Sequence, residues 1–395
     1  MDLYELLVAP NLRHPDSLTR LQQGASQNSS GWRARALKAE YVTCLHLMKR
    51  SRADLLWAGF LPLELQHRFD KSMSWRRIAL GGQDRARAWR SLSPYLPVSG
   101  ISAALRRAAS TRTTFPRDKL QLLLDELTGL VQRVNPSALI ITANYDPAIR
   151  LVALAARQAG VPVALYPHGL SSPNFWLERN DGLASHFLCW TEEERLGYIA
   201  AGVRDMRVRV VGPLRSPRSW NADRRPVDFD LLWLGHRFRA QQYIPTLDRI
   251  RHEAEDAGFR LAYRPHPLED PTDVGSLLPG ALLNPRVGIG EHLESAKVVV
   301  GGVTTGLIEA AMLGRRTIFI EDLDAIEAPE VRSHLRRVST IATLSNDFSI
   351  EQVRLVMSAA ITSESFLSPE QEIPKLINSG WFRRGDGAVT SESYR

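Results

Sequence analysis

The chain has 395 residues, of which 44% are apolar and 24% charged, with two cysteines and a net charge of +7. That composition supports a sizeable core, and the length suits two or three domains. No run of about 18 apolar residues marks a membrane-spanning helix. Cys44 and Cys189 lie in no paired motif, which excludes a disulfide framework, argues against structural zinc and reads as two core thiols of a reducing compartment.

The opening MDLYELLVAP carries acids at positions 2 and 5 and no basic region, so it reads as a first strand over 3–10 and not as a secretory signal. Residues 1–120 hold twenty Lys/Arg against nine Asp/Glu, whereas the remaining 275 hold thirty against thirty-four. The basic excess lies in 32–52, 74–90 and 105–119, where arginines flank Trp32, Trp75 and Trp89. Such a region suits an interfacial surface helix or a polyanion-facing patch; a solvated arginine-rich surface accounts for it equally well.

From residue 53 strand and helix patterns alternate. A strand is expected over 53–61, a helix with leucines at helical spacing over 117–134, and a strand over 137–144. The helix at 146–160 has Asp146 at the cap, Pro147 in the first turn and Gly160 past its end. Strands follow at 161–169 and 185–190. Thr191 with Glu194 three residues on makes a capping box for the next helix, and a strand at 207–212 ends this half. Residues 213–228, rich in proline, serine and charge, form a linker. The pattern restarts with a strand at 229–235, a helix at 241–258, a strand at 259–265, a short helix at 289–296, a strand at 297–303, a helix at 304–314 and a strand at 316–322. Continuous apolar strands alternating with helices predict parallel sheets covered on both faces. The expected fold class is α/β, with two Rossmann-like domains, 1–212 and 229–380, facing a cleft, and a poorly ordered tail over 381–395.

Ligands of open parallel sheets bind outside the carboxyl ends of the strands, so the residues placed there are the site candidates. They are Asn144, Tyr145 and Asp146; His168 and Gly169; Gly235 and His236; Arg264 and His266, with prolines at 265 and 267; and the Gly-Gly-Val-Thr-Thr-Gly turn over 301–306. That turn runs into a helix, where free N–H groups and the positive end of the dipole favour an anion. Gly302 allows close backbone approach, Thr304 and Thr305 add hydroxyls, and Glu309, about one turn on, suits a ribose hydroxyl. A tight turn capped by Thr304 fits the same residues. Proline on both sides of His266 restricts its backbone, which suits rigid presentation to a phosphate, with Arg264 beside it. His168, before a glycine, is placed as a general base. Asp146 is either a rival base, the group that orients His168, or a helix cap. Asn180-Asp181-Gly182 is a third base candidate and reads more simply as a turn. Ser171, Ser172 and Asn174 either line the site or shape a loop.

Four segments, PHGLSSP (167–173), VGPLRSP (211–217), YRPHP (263–267) and GGVTTGLIEAAMLGRRTIFIED (301–322), together resemble the His-Pro-motif group of GT-B glycosyltransferases. That group builds bacterial surface polysaccharides; it includes capsule Kdo transferases, sialyltransferases and teichoic-acid glycerophosphotransferases. The resemblance implies His168 as the base, His266 on the donor phosphate, and Thr304 and Thr305 on phosphate. It also implies an acceptor-side first domain and a nucleotide-donor-binding second domain. Two departures stand out: Pro213-Leu214-Arg215-Ser216 lacks the arginine and aspartate of the teichoic-acid type, and Asn180-Asp181-Gly182 meets the acidic-acidic-glycine motif of sialyltransferases only in part.

The expected activity is metal-independent transfer of a sugar or polyol phosphate from a CMP- or CDP-linked donor to a cell-surface glycan or glycolipid, with no cofactor beyond the donor. The protein is expected in the cytoplasm, peripheral on the inner face of an anionic membrane through its basic half. A sugar-nucleotide epimerase on the same fold and a non-catalytic polyanion-binding protein are the alternatives. No aromatic-basic module points to nucleic acid.

Overall fold

The computed structural model describes residues 52–69, 71–79, 95–97, 117–169, 172–214, 227–235, 240–266, 269, 272–275, 278, 280–284, 287–321, 331–332, 335–336, 338, 340–359 and 367–383. The expected first strand at 3–10, Cys44, Trp32 and Trp89 lie outside these residues, as do His236, Ser171 and most of the linker. The chain divides into two compact units. One comprises 1–168, 173–214 and 368–395; the other comprises 169–172 and 215–367.

The first unit is built on a seven-stranded sheet in the order β3-β2-β1-β4-β5-β6-β7. Its strands are β1 (Leu55–Ala58), β2 (Trp75–Ala79), β3 (Tyr95–Pro97), β4 (Ala138–Ile141), β5 (Val163–Leu165), β6 (His186–Cys189) and β7 (Val208–Val210). Every pairing is parallel. β1, β4, β5 and β6 are buried on both faces, which is why each reads as an unbroken apolar run. α1 (Leu63–Phe69) and α4 (Pro173–Leu177) are short. α2 (Arg117–Val134) buries Leu120, Leu123, Leu124, Leu127, Leu130, Val131 and Val134, a three-four spacing that makes one apolar stripe. α3 (Pro147–Gln158) is capped by Asp146, whose Oδ1 accepts from the amides of Ala148 and Ile149.

Within 74–90, the described residues 74–79 depart from the surface-helix expectation; 80–90 lie outside the described residues. Trp75–Ala79 is strand β2, with Trp75 nearly buried and Arg77 fully so. Arg77 donates to the Gly59 carbonyl at 3.2 Å. Basic side chains read as a solvated patch; alternation within a parallel strand turned one of them inward. A second difference concerns the C-terminal boundary, expected at 380. α11 (Pro369–Asn378, numbered in chain order) and a 3₁₀ turn (Trp381–Arg383) belong to the first unit. Arg68 pairs with Glu370 at 2.5 Å, and the Trp381 indole donates to the Met206 carbonyl. The Trp381 and Phe382 rings pack edge-on against His186. The tail therefore holds its order through residue 383; the rest of it lies outside the described residues.

The second unit carries a five-stranded parallel sheet in the order β12-β11-β10-β8-β9. The strands are β8 (Phe229–Leu234), β9 (Leu261–Arg264), β10 (Ala296–Gly301), β11 (Arg316–Ile320) and β12 (Ile341–Leu344). Its helices include α6 (Ala240–Asp256), α7 (Thr272–Gly275), α8 (Ile289–Glu294), α9 (Thr305–Met312) and α10 (Ile350–Ser358). Trp233, Tyr263 and Phe319 anchor the core with no exposed surface. In both sheets the chain builds outward on one side of the first strand and then returns to its other side. The order reverses between β1 and β4 in one unit and between β8 and β10 in the other. Such reversals open a crevice at the carboxyl ends of the two strands. No helix of the described residues is long and apolar enough to cross a membrane.

Glu194 lies in the first turn of α5 (Glu192–Ala200) and is 5% exposed. Thr191 caps that helix, accepting from the Glu194 amide, while the Glu194 carboxylate accepts from Trp190 at 2.7 Å, one residue before the cap. Burial pushes its carboxyl up to about 8. Between its ordinary value of 4.5 and about 8 the folded chain therefore holds a proton that the unfolded chain has lost, so this group's contribution declines as pH rises through that window. Glu194→Gln is neutral and nearly isosteric. It is expected to flatten the fall in Tm between pH 5 and 8, measured by thermal unfolding across that range.

Candidate active site

The crevice of the first unit is formed where β1 and β4 end. Thr142, directly after β4, bridges the two: its Oγ1 accepts from the Phe60 amide at 2.7 Å. Its carbonyl oxygen lies 3.0 Å from Nδ1 of His168, which follows β5. A carbonyl only accepts, so Nδ1 carries the proton and the lone pair sits on Nε2, the nitrogen a general base uses. The His168 ring is exposed and lies near Phe60 and Trp176, with centroids 6.4 and 6.3 Å away.

The loop after β4 is held from below. Asn144 is fully buried and donates through Nδ2 to the Trp176 carbonyl. Arg150, fully buried on α3, donates to the carbonyls of Asn144 and Arg179 and pairs with Asp181 at 2.6 Å. Asp181 has φ +44°, and both amide atoms of Asn180 bond Ala184. Asn180-Asp181-Gly182 is thus a turn that neutralises a buried guanidinium, as its simpler reading held. Asp146 occupies its cap position on α3. Thr142, Arg150 and Trp176 were not singled out from the sequence, because nothing local distinguishes a strand-end threonine or a helix arginine that faces inward.

In the second unit β8 ends at Gly235 and β10 runs into the turn holding Gly302. Thr304 caps α9, its hydroxyl oxygen accepting from the Gly306 amide at 3.3 Å, and Thr305 is partly exposed beside it. The capping role of Thr304 leaves its O–H proton available to an acceptor. Gly306 seats the helix start: a Cβ there would lie 2.6 Å from Leu234 Cδ1. Glu309 is 2% exposed, deep in the first turns of α9.

β9 delivers Arg264 and His266. Arg264 is 7% exposed; its Nε donates to Nδ1 of His292 at 3.1 Å and its Nη2 to the Val287 carbonyl. Burial, followed by the Arg264 charge, pushes His292 below its ordinary value, while Glu291 pulls the other way. A neutral imidazole is what accepts from a guanidinium, so the two observations agree. His266 is partly exposed, and its backbone is gripped by Glu269, a residue the sequence reading passed over: the carboxylate accepts from the His266 amide at 2.8 Å. The signal was present in the three-residue spacing, since the Glu269 amide returns the bond to the His266 carbonyl. Among the described residues no group of three or more His, Cys, Asp or Glu could hold a metal ion.

No protein-family model matches the chain, and no curated protein sequence is significantly similar to it. Solved structures are similar in fold. The UDP-GlcNAc 2-epimerase from Methanocaldococcus jannaschii matches with a TM-score of 0.58 and 13% identity, over 82% of this chain and 99% of that one. A structure of that enzyme in complex with UDP-GlcNAc and UDP matches with a TM-score of 0.55 and 14% identity, over 82% and 99%. MurG from Acinetobacter baumannii matches with a TM-score of 0.52 and 13% identity, over 82% and 99%. The two parallel-sheet α/β units of this chain have the GT-B fold of these proteins.

The Arg150–Asp181 pair separates the two readings of Asp181. Truncating one partner of a buried ion pair strands the other charge, so Asp181→Ala is expected to cost about 3 kcal/mol of stability, measured by denaturant unfolding. A catalytic aspartate would instead cost turnover with the unfolding midpoint unchanged.

Proposed function

We propose that this chain is a glycosyltransferase of the His-Pro-motif group, moving a sugar or polyol phosphate from a nucleotide-activated donor, CMP- or CDP-linked, to a bacterial cell-surface polysaccharide or glycolipid. The observation that carries the reading is the tautomer of His168. Its Nδ1–H faces a main-chain carbonyl at the strand-order reversal of the first sheet, so Nε2 is the basic nitrogen. Other support comes from the second sheet, where the His266 turn and the α9 N-terminus follow strands on either side of β8. The fold shared with an enzyme bound to UDP-GlcNAc and UDP supports a nucleotide-activated substrate.

In this reading His168 Nε2 takes the proton of an acceptor hydroxyl as its oxygen attacks the donor's anomeric carbon, or the phosphorus of a polyol phosphate. The bond from that atom to the nucleotide phosphate breaks, and the nucleotide leaves with the electron pair. His266, the first amides of α9 and the hydroxyls of Thr304 and Thr305 offset the charge that gathers on the leaving phosphate. Glu309 serves the ribose, and Gly235 and Gly302 give the nucleotide room. No cofactor beyond the donor is required. The basic residues of 1–120 would hold the protein on the inner face of the membrane, next to an anionic surface or acidic acceptor.

A second reading, a sugar-nucleotide epimerase, is favoured by the likeness to UDP-GlcNAc 2-epimerases. It needs no acceptor, so products from donor alone identify it. A transferase releases nucleotide in proportion to added acceptor.

Thermal-shift titration with CMP-, CDP-, UDP- and GDP-ligands is expected to show one class stabilising the protein by about 2.7 kcal/mol at 100 times its Kd. His266→Ala should abolish that shift. His168→Ala should keep it while lowering turnover about 100- to 10,000-fold, the range for loss of a general base. Binding lost in His168→Ala but retained in His266→Ala would reverse the assignment.

A further inference from the structure

The turn that presents His266 is held by a device the transfer mechanism above does not use. Glu269 Oε2 accepts from the His266 amide at 2.8 Å, and Oε1 accepts from the hydroxyl of Tyr263 at 2.6 Å and from that of Tyr243. The two phenol oxygens lie 2.6 Å apart, both turned to the same carboxylate oxygen. Tyr243 comes from α6 and Tyr263 from β9, so one carboxylate ties the turn to two separate elements. Burial is the main cause that holds the Tyr263 hydroxyl protonated, followed by the neighbouring Tyr243 and Glu269; it remains a donor. The carboxylate also lies against the end of β8: a Cβ on Gly235 would come within 2.2 Å of Glu269 Oε2 and 2.4 Å of the Tyr263 hydroxyl. A side chain at position 235 would therefore collide with this network.

The chemistry of the flanking prolines adds to the case. In Pro265-His266-Pro267 only His266 carries a main-chain N–H, and that N–H is the one Glu269 takes. A carboxylate close to a phosphate site would repel it. Here, three donors point at the carboxylate, and charge-assisted hydrogen bonds are the strong ones. We propose that Glu269 is a positioning residue for His266, fixing the backbone of the His-Pro turn so that the imidazole meets the donor phosphate in one orientation. The role given to the imidazole rests on the donor-site reading above; the anchoring does not.

Two measurements on the full chain test it. The first is hydrogen exchange of the His266 amide in protein labelled with ¹⁵N-histidine, its signal assigned by its loss in His266→Ala. Glu269→Ala is expected to speed that exchange at least tenfold relative to the other histidine amides. Glu269→Gln has one acceptor oxygen for three donors, so it should fall between. The second is affinity for CMP, CDP and UDP. For the nucleotide that binds, Glu269→Ala should weaken binding about 10- to 100-fold, the size expected for hydrogen bonds to a charged group. Tyr263→Phe, which spares the bond to His266, should weaken it less than threefold. Gly235→Ala should mimic Glu269→Ala, and the double variant should lose no more than the worse single one.

Unchanged exchange of the His266 amide in both Glu269 variants overturns the anchoring. Faster exchange with unchanged affinity, where His266→Ala does weaken binding, overturns the positioning role. No binding of any probe, or full affinity in His266→Ala, overturns the donor-site reading, with the exchange result still deciding the anchor. Should Glu269→Ala fail to fold, Glu269→Gln carries the same comparison, with Tyr263→Phe as its control.

Discussion

Parallel pairing is the constraint on which this molecule is built. Two parallel strands cannot be joined by a tight turn, so each connection must cross back over a face of the sheet. Every carboxyl end in a sheet then lies along one edge, and the loops leaving those ends are collected there regardless of their separation in sequence. Where the order of strands reverses, the helices on either side diverge and leave a crevice. His168 and Thr142 reach one such edge from strands β5 and β4; Gly235, His266 and Thr304 reach the other from β8, β9 and β10.

What occupies those edges is settled by hydrogen-bond satisfaction. At the first edge the free carbonyl of Thr142 assigns the imidazole tautomer, and the Thr142 hydroxyl ties the ends of β1 and β4 together. Arg150 takes up two more main-chain carbonyls from beneath and is neutralised by Asp181. At the second edge a carboxylate does the corresponding work for the His-Pro turn, and a neutral His292 accepts from Arg264. In each case a charged or polar group, buried or half-buried, supports a loop whose imidazole it does not resemble chemically. The support explains how residues in loops hold a fixed geometry.

Several of the site candidates are themselves supports of this kind. Arg264 is buried and bonded to His292 and Val287, and Asp146 is a helix cap. Thr304 caps α9 yet keeps a hydroxyl proton, the one the proposed donor site would use. The capping residues could be read from sequence because capping is a local interaction, made within three positions along the chain. The partners of His168, His266 and Arg264 are 26, 3 and 28 positions away, and only the three-residue spacing of Glu269 lay within reach of inspection.

By itself the sequence determined the α/β class, the alternation of strands and helices from residue 117 to 320 apart from the short helices Pro173–Leu177 and Thr272–Gly275, and the motifs that stand at strand ends. These follow from local physics: apolar runs for strands buried on two faces, three-four spacing for helices, and caps, prolines and glycines at the boundaries. Tertiary structure alone decided the strand order, the inward turn of Arg77 on β2, the return of Ser368–Arg383 to the first unit, and the tying of Glu269 to two tyrosines. Those depend on which distant groups meet in a low-dielectric interior and must satisfy each other there. No pattern along the chain encodes that meeting, because the groups become neighbours only when the sheets have formed.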